Sequence, residues 1–453
     1  MWPLRSIAYF FAFWLACLLS LANPIWGVVN YMAVYQINPT VTWWGKPLVE
    51  LGMRFSLIAA AFTIVGLFTG RRHVPEVRPL FSMWEVGVIA LVVVAALNLL
   101  IGVPPSSATL YTFEKLWKVL LFVLILTRLA TTRENLRMVV WTFVLGSFYL
   151  GYDAFTAPPD AFVLGRLERV GGPDFSTTSG AAAYLAAMLP IIGVAFLTAK
   201  HWRWRVLAAL AGALSVNAVV MCRTRSAFVG IVCGLLAAFL VAPRVRRYRI
   251  HALLIIGGLC AYKLTDGNFW HRMETMTSRE ALKADAAAET RREIWETSLV
   301  MFRDRPLGIG PGNFQNMIGQ YNPKHHKRAS HNSLVVCFVE LGVQGGLLFL
   351  CMVCGSLWLL RQSSRLALYS ADPLETKLLA YGFLTAFVTY FVTALGTQRF
   401  YCESFWWVLA LPLCLYRTVR REMESPGLVP QLAEQPRDWE LAAVLARCQP
   451  AAP

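Results

Sequence analysis

Acidic residues are scarce in this chain of 453 residues: 26 Asp and Glu stand against 42 Lys and Arg, and charged residues of all kinds make up only 15%. A soluble fold of that length needs more polar cover than this, because 57% of the residues are hydrophobic and mean hydropathy is +0.52. Internal repeats of roughly 20–50 residues are absent, and so are low-complexity tracts, which excludes solenoids and propellers. A cleaved leader is not expected either. The first apolar run, Ile7 to Ala22, is followed by many others and reads as a span. These absences leave an all-α, polytopic membrane protein.

The net charge of +16 would suit nucleic acid, but its placement argues against that partner and for membrane lipid. Lys and Arg gather in short loops on alternate sides of the apolar runs. The ten cysteines fall mostly inside those runs, Cys351-x-x-Cys354 included, and read as small core residues without a redox or metal role.

A span needs about 20 apolar residues, and such segments lie near 52–69, 84–102, 113–130, 137–155, 179–199, 204–221, 226–242, 249–264, 333–360, 378–397 and 403–417. Asn23-Pro24 breaks the first 37 residues into two short pieces, either two spans or one span with a re-entrant piece, so the expected total is 12 or 13. The basic loops are assigned to the cytoplasm: Arg71, Arg72 and Arg78; Arg128, Arg133 and Arg137; Lys200, Arg203 and Arg205; Arg244, Arg246, Arg247 and Arg249; Arg361, Arg365 and Lys377; Arg417, Arg420 and Arg421. The expected organisation is an N-terminal transmembrane bundle (1–264), a periplasmic loop with a surface helix (265–330), C-terminal transmembrane helices (331–420) and a cytoplasmic tail (421–453).

The long outer loop holds most of the polar sequence. Ser278 to Phe302 mixes charges and strong helix formers with Ile294, Trp295, Leu299 and Phe302 at helical spacing, which predicts an amphipathic helix on the membrane surface. Arg305-Pro306 stops it, and Gly308-Ile309-Gly310-Pro311-Gly312-Asn313 follows as a tight turn.

Arginines on the outer side oppose the orientation bias. They are Arg223 and Arg225 in a short turn between spans, Arg291 and Arg292 on the loop helix, Arg166 and Arg169 between 156 and 178, and Arg399 before the last span. Guanidinium forks suit phosphate oxygens, so several converging there would hold a lipid-linked pyrophosphate. His331, at the mouth of a span, is a candidate general base. Glu340 lies inside that span and is expected to support the site structurally, and Gly342, Gly345 and Gly346 to permit close helix approach. No metal site and no cofactor are expected: His325 and His326 are adjacent and cannot both face one ion in regular structure. The run Lys324 to Arg328 is expected as a cationic surface.

Three segments together resemble the O-antigen ligase and polymerase superfamily of bacterial membrane glycosyltransferases. They are Thr224-Arg225-Ser226-Ala227; Arg291-Arg292-Glu293-Ile294-Trp295 running on to Pro306 through Phe314; and His331-Asn332-Ser333-Leu334 with Glu340-x-Gly342. The resemblance implies metal-independent transfer of a glycan from undecaprenyl diphosphate to an acceptor hydroxyl, at the periplasmic face of the bacterial inner membrane. It implies that Arg225 and Arg291 bind the diphosphate and that His331 activates the acceptor. Arg223, Arg292, Asn332, Arg166, Arg169 and Arg399 are expected as further substrate contacts. An O-antigen ligase acting on lipid A-core is the first expectation. A polymerase, a protein O-oligosaccharyltransferase and a lipid-linked glycan transporter are the alternatives.

Overall fold

The computed structural model describes residues 2–77, 79–168, 170–265, 267–274 and 286–424. Arg78, Arg169, residues 278–285 of the expected surface helix, and the tail from 425 onward lie outside the described residues.

The protein is an all-α membrane bundle. Its helices are α1 (Leu4–Ala22), α2 (Ile25–Ile37), α3 (Lys46–Glu50), α4 (Phe55–Thr69), α5 (Met83–Ile101), α6 (Ser107–Leu129), α7 (Arg133–Phe155), α8 (Thr178–Thr198), α9 (Trp202–Cys222), α10 (Arg225–Val241) and α11 (Arg247–Leu264). The outer segment adds α12 (Gly267–Glu274), α13 (Ala286–Asp304) and α14 (Phe314–Tyr321); α15 (Ser333–Leu366), α16 (Pro373–Ala394) and α17 (Glu403–Glu424) complete it. Among the described residues seven helices are long and apolar enough to cross a membrane: α1, α5, α7, α8, α9, α15 with its short extension, and α16. The apolar α4 and α10 are shorter, at 15 and 17 residues. Helix α6 carries Glu114, Lys115 and Lys118 within its run, and α17 ends in Arg417, Arg420 and Arg421. Asn23 and Pro24 separate α1 from α2, and Asn30 of α2 donates back to the Phe13 carbonyl at 3.2 Å, so the two form an antiparallel hairpin.

Helices α8 and α16 lie deep in the bundle, each with 72% of the residues in its apolar stretch buried. Small residues make this possible. A Cβ at Gly230 or Gly234 of α10 would lie 2.0 Å from the hydroxyl oxygen of Thr393 or Thr389 on α16, so the glycines let the backbones close.

The two ends of the bundle differ chemically. At the basic end Arg133 joins Glu375 (2.7 Å) and Glu422 (2.8 Å), bracing α7 against α16 and α17. Nearby, the buried Arg417 forks onto both oxygens of Glu85 at 2.6 and 2.5 Å. At the opposite end α6 begins with Thr109 donating to Asn313 (2.7 Å), and Gly396 after α16 packs on Ser226 at the start of α10.

Several expectations are corrected by this packing. Helix α13 turns Ile294, Ser298 and Met301 inward, onto a small core with Phe314, Ile318 and Val339, while Leu299 is half exposed. That stripe follows i, i+4 and i+7, whereas 294, 295, 299 and 302 straddle two faces. Cys351 and Cys354 face out of the bundle and are not core residues. Gly342 serves no helix–helix approach. It breaks α15 with φ 71° and ψ −175°, a conformation open almost only to glycine. The Val343 amide then donates to the Pro306 carbonyl at 2.9 Å, so a loop backbone fills the kink.

Candidate functional site

His331 is held from both sides while its own backbone is left-handed, at φ 50°. Ser330 before it and Asn332 after it are tied to each other: the Asn332 amide donates to Ser330 Oγ at 3.2 Å, and that hydroxyl donates to the Asn332 carbonyl at 3.1 Å. Asn332 also caps α15, its Oδ1 accepting from the amides of Leu334 (2.9 Å) and Val335 (3.2 Å). The imidazole therefore projects from a rigid corner. A non-glycine residue in this conformation costs roughly 1–2 kcal/mol, which the caps on either side must offset.

Arginines approach His331 from three directions. From the outer segment, Trp295 Nε1 donates to the Ser330 carbonyl at 2.9 Å, docking α13 one residue before His331. Arg291 lies one helical turn earlier and is half-buried, whereas Arg292 is exposed and pairs with Glu296 at 2.8 Å. From the α16–α17 connection, the Arg399 amide donates to Ser333 Oγ at 2.8 Å. Arg399 is 9% exposed, its Nη1 donates to the Asp174 carbonyl (2.8 Å), and its Nε has no hydrogen-bond partner among the described residues. Arg328 stands on the loop leading to His331.

The imidazole reaches solvent, yet protein walls it on several sides. Desolvation lowers its pKa below the ordinary histidine value, and the charges of Arg291, Arg399 and Arg328 lower it further. A neutral imidazole near neutral pH is the form that accepts a proton.

The second arginine group sits along the same end. Arg223 closes α9 with φ 47° and Arg225 opens α10, so one tight turn presents both. Their turn is stitched to α12: Arg225 Nε donates to the Arg272 carbonyl (3.4 Å), and Arg272 Nε to the Arg223 carbonyl (2.8 Å). A two-stranded hairpin, β1 (Phe162–Val163) with β2 (Arg166–Leu167), adds Arg166, whose Nη2 donates to Thr178 Oγ1 at 2.6 Å. Burial lowers the Arg166 pKa, with the Arg225 charge acting in the same direction. The groups meet through two contacts: Ser226 touches Gly396, three residues before Arg399, and Thr178 precedes Gly180, against which the Arg399 fork lies.

Glu340 is buried beneath the glycine turn. It accepts from the amides of Gly312 (2.8 Å) and Phe314 (3.0 Å) and from the Tyr401 hydroxyl. The turn, with positive φ at Gly308, Gly310 and Gly312, is thereby clamped onto α15. The expected cationic surface at 324–328 departs from its sequence reading at His325, which is buried and bonded through Nε2 to Glu293 at 2.7 Å. Among the described residues no group of three or more His, Cys, Asp or Glu is placed to hold a metal ion.

Sequence reasoning passed over Lys115 and Asp174. They form a partly buried ion pair at 2.7 Å, and the other Asp174 oxygen accepts from Tyr35 at 2.9 Å. A lysine inside the apolar run from Thr112 was the available signal, but its partner lies 59 residues away and on no shared periodicity.

No curated protein matches the chain. Residues 210–350 match the family described as O-antigen ligase. That stretch, which supports a likeness to the O-antigen ligase and polymerase superfamily, contains the Arg223–Arg225 turn, the helix of Arg291 and Trp295, the clamped glycine turn, and His331 on its capped corner.

Proposed function

We propose that this protein transfers a glycan from undecaprenyl diphosphate to an acceptor hydroxyl, with ligation of O-antigen to lipid A-core as the leading reading. The observation that carries it is the capped His331 with Arg291 docked beside it and Arg399 bonded to the adjoining helix turn. The acceptor oxygen attacks the anomeric carbon of the donor sugar, and its proton passes to the His331 imidazole. The bond from that carbon to the diphosphate breaks, and its electron pair leaves with undecaprenyl diphosphate. Arg225 and Arg291 meet the leaving group's charge, so the scheme runs without a metal and inverts the anomeric centre. Arg223, Arg166 and Arg399 extend the cationic lining, and Asn332 contributes by holding the corner.

Positive charge at the basic end orients that end to the cytoplasm, and the site then faces the periplasm of a bacterial inner membrane. A polymerase and a protein O-oligosaccharyltransferase need the same donor site and differ in acceptor. The test offers lipid A-core, a second lipid-linked glycan and an acceptor peptide separately to purified protein in nanodiscs holding the donor. Glycan found on lipid A-core alone supports the ligase. Product on another acceptor names another branch. Donor movement across the bilayer without transfer on any acceptor would replace the enzyme with a transporter.

A further inference from the structure

We propose that Asp174 is the positioning residue of this site: anchored by Lys115 and Tyr35, it fixes the loop whose carbonyl holds the guanidinium of Arg399, a residue whose backbone is bonded to the helix turn after His331. The inference rests on the proposed role of His331 for its consequence in catalysis, while its geometry stands apart from that role.

Asp174 works with two ends. Its carboxylate takes the Lys115 ammonium of α6 at 2.7 Å and the Tyr35 hydroxyl of α2 at 2.9 Å, so two helices grip one loop residue. Tyr35 in turn lies 3.3 Å from Ser404 Oγ, and Ser404 lies 2.8 Å from the Tyr390 hydroxyl, which ties the same network to α17 and α16. The Asp174 backbone carbonyl then accepts Arg399 Nη1 at 2.8 Å. Gly180 makes the space: a Cβ there would lie 2.3 Å from that carbonyl oxygen and 2.9 Å from Nη1. The Arg399 backbone amide is bonded to Ser333 Oγ on the helix turn after His331, so whatever fixes its fork fixes a cation on the segment that braces that turn, and its charge acts on the imidazole. The charged groups facing His331 are Arg291 from α13, Arg399 from the α16–α17 connection and Arg328 from its own loop.

The test reads the titration of His331 by NMR, in isotope-labelled protein in nanodiscs without donor or acceptor, with the signal assigned by its loss in His331→Gln. Removing Arg399 (Arg399→Gln) takes away a neighbouring positive charge, so the His331 pKa rises. Asp174→Asn discriminates by sign. Loss of a carboxylate acting directly, with Lys115 left unbalanced, pushes the His331 pKa down. Release of Arg399 from its place pushes it up. We expect an upward shift in Asp174→Asn and none beyond it when Arg399→Gln is added. Gly180→Ala reaches the same contact without changing any charge and is expected to shift the titration upward too, which covers the case in which Asp174→Asn fails to fold. Arg399→Lys returns the titration towards wild type. A titration that stays fixed or falls in the Asp174 and Gly180 variants overturns the proposal, as does an Arg399→Gln variant that leaves His331 unmoved. Because no turnover is needed, failure of the transferase reading leaves this result intact. In the transfer assay, the loss of kcat/KM in Asp174→Asn and Arg399→Gln should not add in the double variant, as for residues acting through one contact.

Discussion

His331 combines two features that seldom coincide in a merely structural histidine: a left-handed backbone pinned on both sides, and a ring that reaches solvent among three arginines. The arginines do double service in this reading. In the proposed scheme they attract the diphosphate, and, beyond the effect of desolvation, their charges lower the imidazole pKa. Its pKa is lowered, so the base form persists as pH falls through the ordinary range near 6.5. The acid limb of the rate profile should therefore lie below that range, with activity rising through the depressed pKa and flat above it. Arg291→Gln should move the limb upward, measured as initial transfer rate against pH. Trp295→Phe removes the hydrogen bond to Ser330, worth about 0.5–1.5 kcal/mol, together with part of the ring, so a several-fold fall in kcat/KM with normal expression is expected.

Elements reach the site because short-range features redirect them. Helix α15 is interrupted at Gly342, where the Leu307 carbonyl carbon would lie 2.3 Å from an added Cβ. Gly342→Ala should cost about 1–3 kcal/mol from backbone conformation alone, before the clash, read as lowered thermal stability in detergent. Glu340→Gln leaves a shape-matched side chain but weakens the clamp on the glycine turn, and it should lower stability by about 1–3 kcal/mol with a larger proportional loss of activity. The glycines of this turn were legible in the sequence, as was the helix stop at Arg305-Pro306. The kink at Gly342 was not, because a glycine in an apolar run reads equally as a packing residue. The inward face of α13 was misplaced for a similar reason: Trp295 and Leu299 are apolar, yet the third-dimension partner, α14 with the start of α15, selects the Ile294–Ser298–Met301 stripe.

For the whole molecule, hydropathy was enough to read an all-α membrane bundle. Pairings across the bundle were invisible, since Lys115 with Asp174 and Glu85 with Arg417 share no local pattern. Such buried pairs matter to assembly. Removing one partner, as in Glu85→Gln, should destabilise by about 3–5 kcal/mol, while the paired Glu85→Met/Arg417→Met should recover much of that loss in the same thermal assay. The candidate site draws on α6, α8, α10, α13, α15 and the α16–α17 connection, so the proposed chemistry would need the folded bundle and not the outer segment alone. The most direct measurement is acceptor-dependent release of undecaprenyl diphosphate in nanodiscs, comparing wild type with His331→Ala at verified donor binding. The account predicts release only when acceptor is present, and a fall of roughly 10²–10⁴-fold in His331→Ala. Release at an equal rate in both proteins would contradict it.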